Sequence, residues 1–204
     1  LAKYPVPDFI WDEYHLDQEI NDRGIALDMN VVKNAISFDG RSRETLTASM
    51  QAITGLENPN SIHQMKQWLA NHGVEADALD KKAVKELIHN SDNQTVLTAL
   101  RLRQQLAKSS VKKYQAMQNA VCRDGRARGM FQFYGANRSG RWAGRLIQLQ
   151  NLPQNHLPEL DQARQYVIDE DYDMLELLYD SVQVVLSELI RTAFIPRPGY
   201  KFIV

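Results

Sequence analysis

Apolar side chains recur three and four residues apart over most of this 204-residue chain. That spacing predicts a mainly α (α+β) fold, helical over most of its length with one small antiparallel β element. From about Trp11 to Met50 the pattern gives two helices, broken near Gly24 and Asp28, with Trp11, Leu16, Ile20 and Ile25 facing inward. Asn58, Pro59, Asn60 and Ser61 form a loop. Ser61 is an N-cap residue, and Gln64 at the third helical position completes a capping box. The helix that follows, IHQMKQWLA, is expected to bury Ile62, Met65, Trp68 and Leu69 and to stop at Asn71 to Gly73. Asp80 then caps a second short helix, KKAVKELI.

The longest helical pattern runs from Asn93 to about Val121, with Leu106, Ser110, Tyr114, Met117 and Val121 as its buried stripe. On another face Arg101, Gln105, Lys108, Lys112 and Gln115 form a polar row without interleaved acids. A row of this kind either tracks a phosphate backbone or is a solvated face. The Asp124-Gly125 turn and the alternation in MFQFY predict a short β-hairpin. Two acidic helical segments follow, from about Pro158 to Ile168 and from about Met174 to Arg191. The end, RTAFIPRPGYKFIV, reads as a turn at Pro196, Pro198 and Gly199 and then the start of a buried strand, YKFIV. A strand that stops at Val204 gives the chain the look of a cut piece, one expected to self-associate through that end.

Composition narrows the function classes. The chain is 44% hydrophobic, enough for one core or a core with a small appendage. Its single cysteine, Cys122, excludes an internal disulfide, and the five histidines lack zinc-ligand spacing. No apolar run reaches the length of a membrane span, and LAKYPVPDF is not a signal peptide. An intracellular, soluble protein without a membrane partner is expected. The net charge of -1 conceals a dipole. Residues 101–145 carry 11 basic side chains against one acid, Asp124, whereas 158–188 carry one basic residue, Arg164, against nine acids. The basic stretch suits an anionic partner, or else packs against acids within the fold.

The chemistry concentrates in SGRWAGRLIQLQNLPQN, Ser139 to Asn155. Gly140 and Gly144 permit close backbone approach, and Arg141 and Arg145 place forked donors beside them. Gln148, Gln150 and Asn151 add neutral donor and acceptor pairs; on an extended segment Gln148 and Gln150 face the same way. This is a surface for something flat, polar and anionic. Residues 58 to 90, two short helices joined by a turn, allow the alternative of a helix-turn-helix DNA-binding regulator. Asp169, Asp171 and Asp173 alternate as in a calcium loop, but Met174 and Asp180 occupy the positions that need glycine and a bidentate glutamate, so no metal site is assigned. Trp68 reads as core, Trp142 as core or as a stacking platform, and His63 and His72 as incidental.

Four segments in order, LRLRQQLAKSSVKKYQAM, DGRARGMFQFYGANRSGRWAGR, QLQNLPQ and LIRTAFIPRPGYKFIV, resemble family A DNA polymerases, the family of bacterial DNA polymerase I, and most closely its bacteriophage and prophage members. Weaker similarity in INDRGIALD and NPNSIHQMKQWL extends the resemblance over nearly the whole chain. It implies a helical thumb at 1–125 and the start of the palm at 126–204, and it places the first catalytic aspartate just beyond a stretch like YKFIV. The parent would extend a primer on a DNA template with Mg²⁺ and dNTP in the cytoplasm of a bacterial host, while this piece grips primer-template DNA and holds no cofactor. Arg101, Lys108 and Lys112 of the polar row, with Arg138 and Arg145, are further expected DNA contacts. The family's T/S-G-R falls on Ser139, Gly140 and Arg141, implying that Arg141 reaches the minor groove near the primer end. The family's N-L-Q-N falls on Gln148, Leu149, Gln150 and Asn151, with Gln148 in place of asparagine and Gln154 where many members have arginine. Arg191 matches the arginine that precedes the palm strand. The segment between Asn155 and Arg191 is longer than in bacterial DNA polymerase I and similar to the phage form.

Overall fold

A computed structural model describes residues 5–108 and 111–202. The fold is mainly α with small antiparallel sheets. It divides into two compact units, one from the described residues of 1–36, 110–171 and 188–204, the other from those of 37–109 and 172–187.

The first unit opens with α1 (Asp8–Arg23), strand β1 (Ile25–Leu27) and the start of α2 (Met29–Thr54). The break expected near Gly24 and Asp28 is there, and it contains a strand that the helical periodicity does not reveal. Gly24 has φ 58°, and a Cβ on it would lie 2.4 Å from the carbonyl oxygen of Ala127, so only glycine fits against that backbone. Asp28 caps α2 through Oδ1, which accepts from the amides of Asn30 and Val31.

The second unit is helical: the rest of α2, α3 (Ile62–Asn71), α4 (Lys81–Asn90) and α5 (Gln94–Leu106) enclose Met50, Met65, Trp68, Leu69, Val84, Val96 and Leu100. Ser61 caps α3 as expected, accepting from the Gln64 amide, but the Gln64 side chain accepts from the Asn58 amide. Ile62 is exposed, because the first helical residue lies ahead of the buried face. Asp80 caps α4 through the amides of Lys82 and Ala83. Nine residues, 72–80, join α3 to α4, well beyond the three to four of a helix-turn-helix, so that alternative lacks its geometry.

The single helix expected from Asn93 to Val121 is two: α5 ends at Leu106, and α6 (Lys112–Ala120) belongs to the first unit. The cause is Arg43, whose guanidinium donates to the carbonyls of Leu106 (3.0 Å) and Lys108 (2.9 Å) while its Nε bonds both carboxylate oxygens of Asp39. A cation on the last carbonyls ends the helix favourably. The row from Arg101 to Gln115 is therefore not one helix face. Of the expected stripe, Leu106, Tyr114 and Met117 are buried, Val121 is half-buried, and Ser110 lies outside the described residues.

In the first unit, β2 (Arg126–Ala127) pairs with β1, while β3 (Phe131–Ala136) and β4 (Arg141–Gly144) form a separate hairpin. The Asp124-Gly125 turn therefore leads from Val121 to β2, and MFQFY finds its partner further on. The acidic region forms α7 (Leu160–Ile168) in the first unit, α8 (Tyr172–Leu178) in the second, and α9 (Val182–Glu188), which ends at the boundary between them. Strand β5 (Phe194–Ile195) pairs with β1 ahead of the turn at 196–200. Lys201 and Phe202, expected in a strand, are irregular and exposed, and Ile203 and Val204 lie outside the described residues. Trp11 and Leu16 are exposed on α1, not buried as expected; the hairpin is bonded by Asp17 and Asn21, beside Leu16 and Ile20.

Arg43 holds four acceptors at once, so Arg43→Met should cost about 2 kcal/mol, the order expected for losing charge-assisted bonds to partly buried groups. Thermal denaturation of the variant checks it.

Candidate nucleic-acid interface

The hairpin is attached to α1 through side chains that stand in for a neighbouring strand. Asn21 donates from Nδ2 to the Phe131 carbonyl and accepts from the Phe131 amide, both at 3.0 Å. Four residues earlier, on the same helix face, the buried Asp17 accepts from the Phe133 amide at 2.9 Å. The edge amides of β3 are thereby satisfied without another strand. Leu16, Ile20, Phe131 and Trp142 line an apolar cavity of about 400 Å³ next to this attachment. Trp142 is half-buried and meets Phe133 edge-on at 5.9 Å, so it belongs to the hairpin's packing.

Residues 145–153 are pinned at several points. Ile147 and Leu152 are buried anchors. The Arg145 amide donates to the Met130 carbonyl, and Lys113 Nζ to the Ile147 carbonyl at 2.7 Å. Arg191 is half-buried and donates from Nε to the Pro153 carbonyl (2.7 Å) and from Nη2 to that of Leu152 (2.9 Å). The segment is not extended: Gln148 has φ 55°, and Leu149–Asn151 form a 3₁₀ turn closed by the Asn151 amide on the Gln148 carbonyl. The two-residue alternation expected of Gln148 and Gln150 therefore does not apply. Gln148, Gln150 and Asn151 are nonetheless all exposed, and Asn151 Nδ2 donates to Gln148 Oε1 at 3.1 Å.

The Gln150 carboxamide rests on Gly144. A Cβ at 144 would lie 2.1 Å from Gln150 Oε1 and 2.3 Å from Nε2, so the absence of a side chain in β4 is what lets the amide lie flat there. Arg141, also on β4, is exposed, as are Arg138 and Ser139 in the connecting loop. Among the described residues Arg138, Arg141 and Lys112 make no ion pair.

The basic excess of 101–145 is partly structural. Arg126 donates to the carbonyls of Arg23 and Gly24, and Arg128 to that of Asp22, so two cations cover the C-terminal carbonyls of α1. Arg128 also grips both carboxylate oxygens of Asp124 and holds that carboxyl down to about 2. Arg145 is exposed but spends its guanidinium on Gln132 Oε1. In the second unit Arg103 donates to the Pro59 carbonyl, Arg101 is exposed, and Lys108 is half-buried beyond the end of α5. The structure thus groups Arg138, Ser139, Arg141, Arg145, Gln148, Gln150, Asn151 and Lys112 in the first unit, with Arg191 as a buttress, and leaves Arg101 and Lys108 in the other.

Sequence reasoning missed Lys113, Asp17, Asn21 and Tyr134. Only the i, i+4 pair Asp17 and Asn21 left a trace, as polar residues on an otherwise apolar helix face. Among the described residues four non-glycine residues have positive φ, and three of them, Tyr134, Leu146 and Gln148, lie in the hairpin and the pinned segment. Backbone strain of this kind collects where a surface must take one particular shape. No group of three or more His, Cys, Asp or Glu side chains among the described residues is placed to hold a metal ion. No helix among them is long and apolar enough to cross a membrane.

No protein-family model matches the chain. It is 53% identical over 189 residues to a protein of Bacillus phage SP02 named DNA polymerase, an alignment covering 93% of this chain and 29% of that protein. The chain therefore spans less than a third of that relative's length, and its resemblance to a phage DNA polymerase is supported along nearly all of its own.

Because the flexible end of Gln150 can move away while the backbone stays, Gly144→Ala should change stability by less than about 1 kcal/mol yet displace the carboxamide. The side-chain amide resonances of Gln150 in an ¹⁵N spectrum should shift strongly, with the melting temperature nearly unchanged.

Proposed function

We propose that this chain is the part of a family A DNA polymerase that grips primer-template duplex, with the thumb at 1–125 and the start of the palm at 126–204. The observation that carries the reading is the pinned segment 145–153, which buries Ile147 and Leu152 and leaves three neutral amides exposed, one of them seated on Gly144 three residues after the unpaired Arg141. Minor-groove acceptors occur at every base pair, so amides and one guanidinium carried on a pinned backbone test pairing geometry without reading sequence. Lys112 and Arg138 supply the sequence-independent attraction to phosphate. Arg191 acts at one remove, by fixing the backbone at Leu152 and Pro153.

The name of the phage relative, DNA polymerase, supports primer extension as the activity of the whole protein. Mg²⁺ and dNTP would be its ligands there. The residues here do not fit a metal: Asp124, the one acid in 101–145, is held by Arg128 in a turn. No chemical step is assigned to this chain, and on this reading it has no polymerase activity by itself. Residence in the cytoplasm of a bacterial host and self-association through the exposed end at Tyr200 and Phe202 belong to the same proposal.

Binding of the chain to duplex DNA of unrelated sequences should be of equal strength and should fall steeply with salt. Engagement of about two phosphates by these cations gives a log-log slope near -2. A preferred sequence, or a flat salt response in a fluorescence-anisotropy titration, would sink the reading. In the longer polymerase, Arg141→Ala should lower the primer-extension rate by about tenfold or more while changing DNA affinity less, because a misplaced primer end costs rate before affinity. Single-turnover kinetics beside an equilibrium titration separates the two.

A further inference from the structure

Tyr134 stands out from every other residue of the hairpin. Its backbone has φ 53° inside a strand, a left-handed conformation that aromatic residues avoid, while the residue able to take it freely, Gly135, comes one position later. The strain coincides with the register shift of β3 against β4 between Gln132 and Ala136. Burial does not account for it, since the ring is 55% exposed and meets an edge-on neighbour, the half-buried Phe133, at 6.0 Å, while Phe133 itself packs on Trp142. The inner edge of the Tyr134 ring instead lies on Gly140, where a Cβ would come within 2.7 Å of Cε2. Gly140 therefore keeps the aromatic ring level with the backbone just before Arg141, and the loop between them carries the exposed Arg138 and Ser139. A strained, exposed, flat π surface resting on Gly140, in a loop whose sequence neighbours include the unpaired Arg138 and Arg141, has the composition of a nucleobase platform: a ring for the base and cations for the phosphates that flank it in the strand.

We propose that Tyr134 is a stacking platform for an unpaired nucleobase held at the β3–β4 hairpin. This rests on the reading that the hairpin faces nucleic acid. Bases inside a duplex are stacked on one another and offer no free face, so the ligand is a single-stranded segment or a frayed end beside the duplex.

The test uses the 204-residue chain with two probes: a primer-template carrying 2-aminopurine in its single-stranded overhang, and a blunt duplex of the same paired sequence. The wild-type chain should bind both and quench the overhang fluorescence. Tyr134→Phe should keep affinity and quenching. Tyr134→Gly relieves the backbone strain as it removes the ring, so its melting temperature should stay within about 3 °C of wild type. Its affinity for the overhang probe should fall about tenfold, the order measured for loss of one stacked base, with the quench abolished and blunt-duplex affinity kept within about twofold. Tyr134→Asn, which also tolerates positive φ, gives the same readout should the glycine variant not fold. Equal loss on both probes, or no loss on either, would overturn the platform and leave the ring as a cover for the loop. Failure of the wild-type chain to bind either probe would overturn the duplex-gripping reading and the platform with it.

Discussion

Strand β1 is three residues long, and the first unit depends on it. Ile25 and Ala26 pair with Ala127 and Arg126 on one side, and Ala26 and Leu27 pair with Ile195 and Phe194 on the other. Backbone bonds at its end extend the join, from the Leu27 amide to the Gly125 carbonyl and from the Asp28 amide to the Ala193 carbonyl. Segments about 100 and 170 residues apart are thus closed onto one strand, at an entropy cost that grows only slowly with loop length. Gly24 makes the join possible because nothing larger than hydrogen fits against the Ala127 carbonyl. Arg126 and Arg128 reinforce it from the other direction, and Arg164 does the same from α7 by pairing with Asp28.

With α1 anchored at its C-terminus, Asp17 and Asn21 are set at the height where β3 needs partners for its edge. The hairpin then positions Met130, whose carbonyl receives the Arg145 amide, and the pinned segment begins there. Each step satisfies backbone groups that burial would otherwise leave unpaired. The proposed DNA surface is the exposed remainder of this chain of attachments. The backbone beneath it is held by Lys113 and Arg191, cations that donate to its carbonyls.

This division of labour resolves the charge pattern. The basic stretch divides: Arg126, Arg128, Lys113 and Arg103 bind the protein's own carbonyls more than its acids, whereas Arg138, Arg141 and Lys112 make no ion pair among the described residues and are the ones proposed to meet an anion. Counting charges along the chain could not separate them. A guanidinium facing a helix C-terminus and one facing solvent look alike until the backbone around them is placed.

The sequence by itself determined the elements whose causes are local. Ser61 and Asp80 cap helices because each can accept from amides two or three residues on, and Trp68, Leu69 and Met65 are core because their spacing matches one helix face. The stretch from Ser139 to Asn151 could be singled out too, since its residue types are unusual together. Tertiary structure decided what depends on distant partners. The Asn93–Val121 periodicity continues unbroken, yet Arg43, more than sixty residues earlier, ends the helix at Leu106 by taking its terminal carbonyls. Trp11 and Leu16 carry the right spacing for a core, but both are exposed, and α1 is tied to the hairpin by Asp17 and Asn21, because the amides of a strand edge need acceptors that apolar side chains cannot supply. The 3₁₀ turn at Leu149–Asn151 arises where Lys113 and Arg191 pull the backbone down on both sides, and no alternation of polar and apolar residues records a constraint imposed from 34 and 38 residues away.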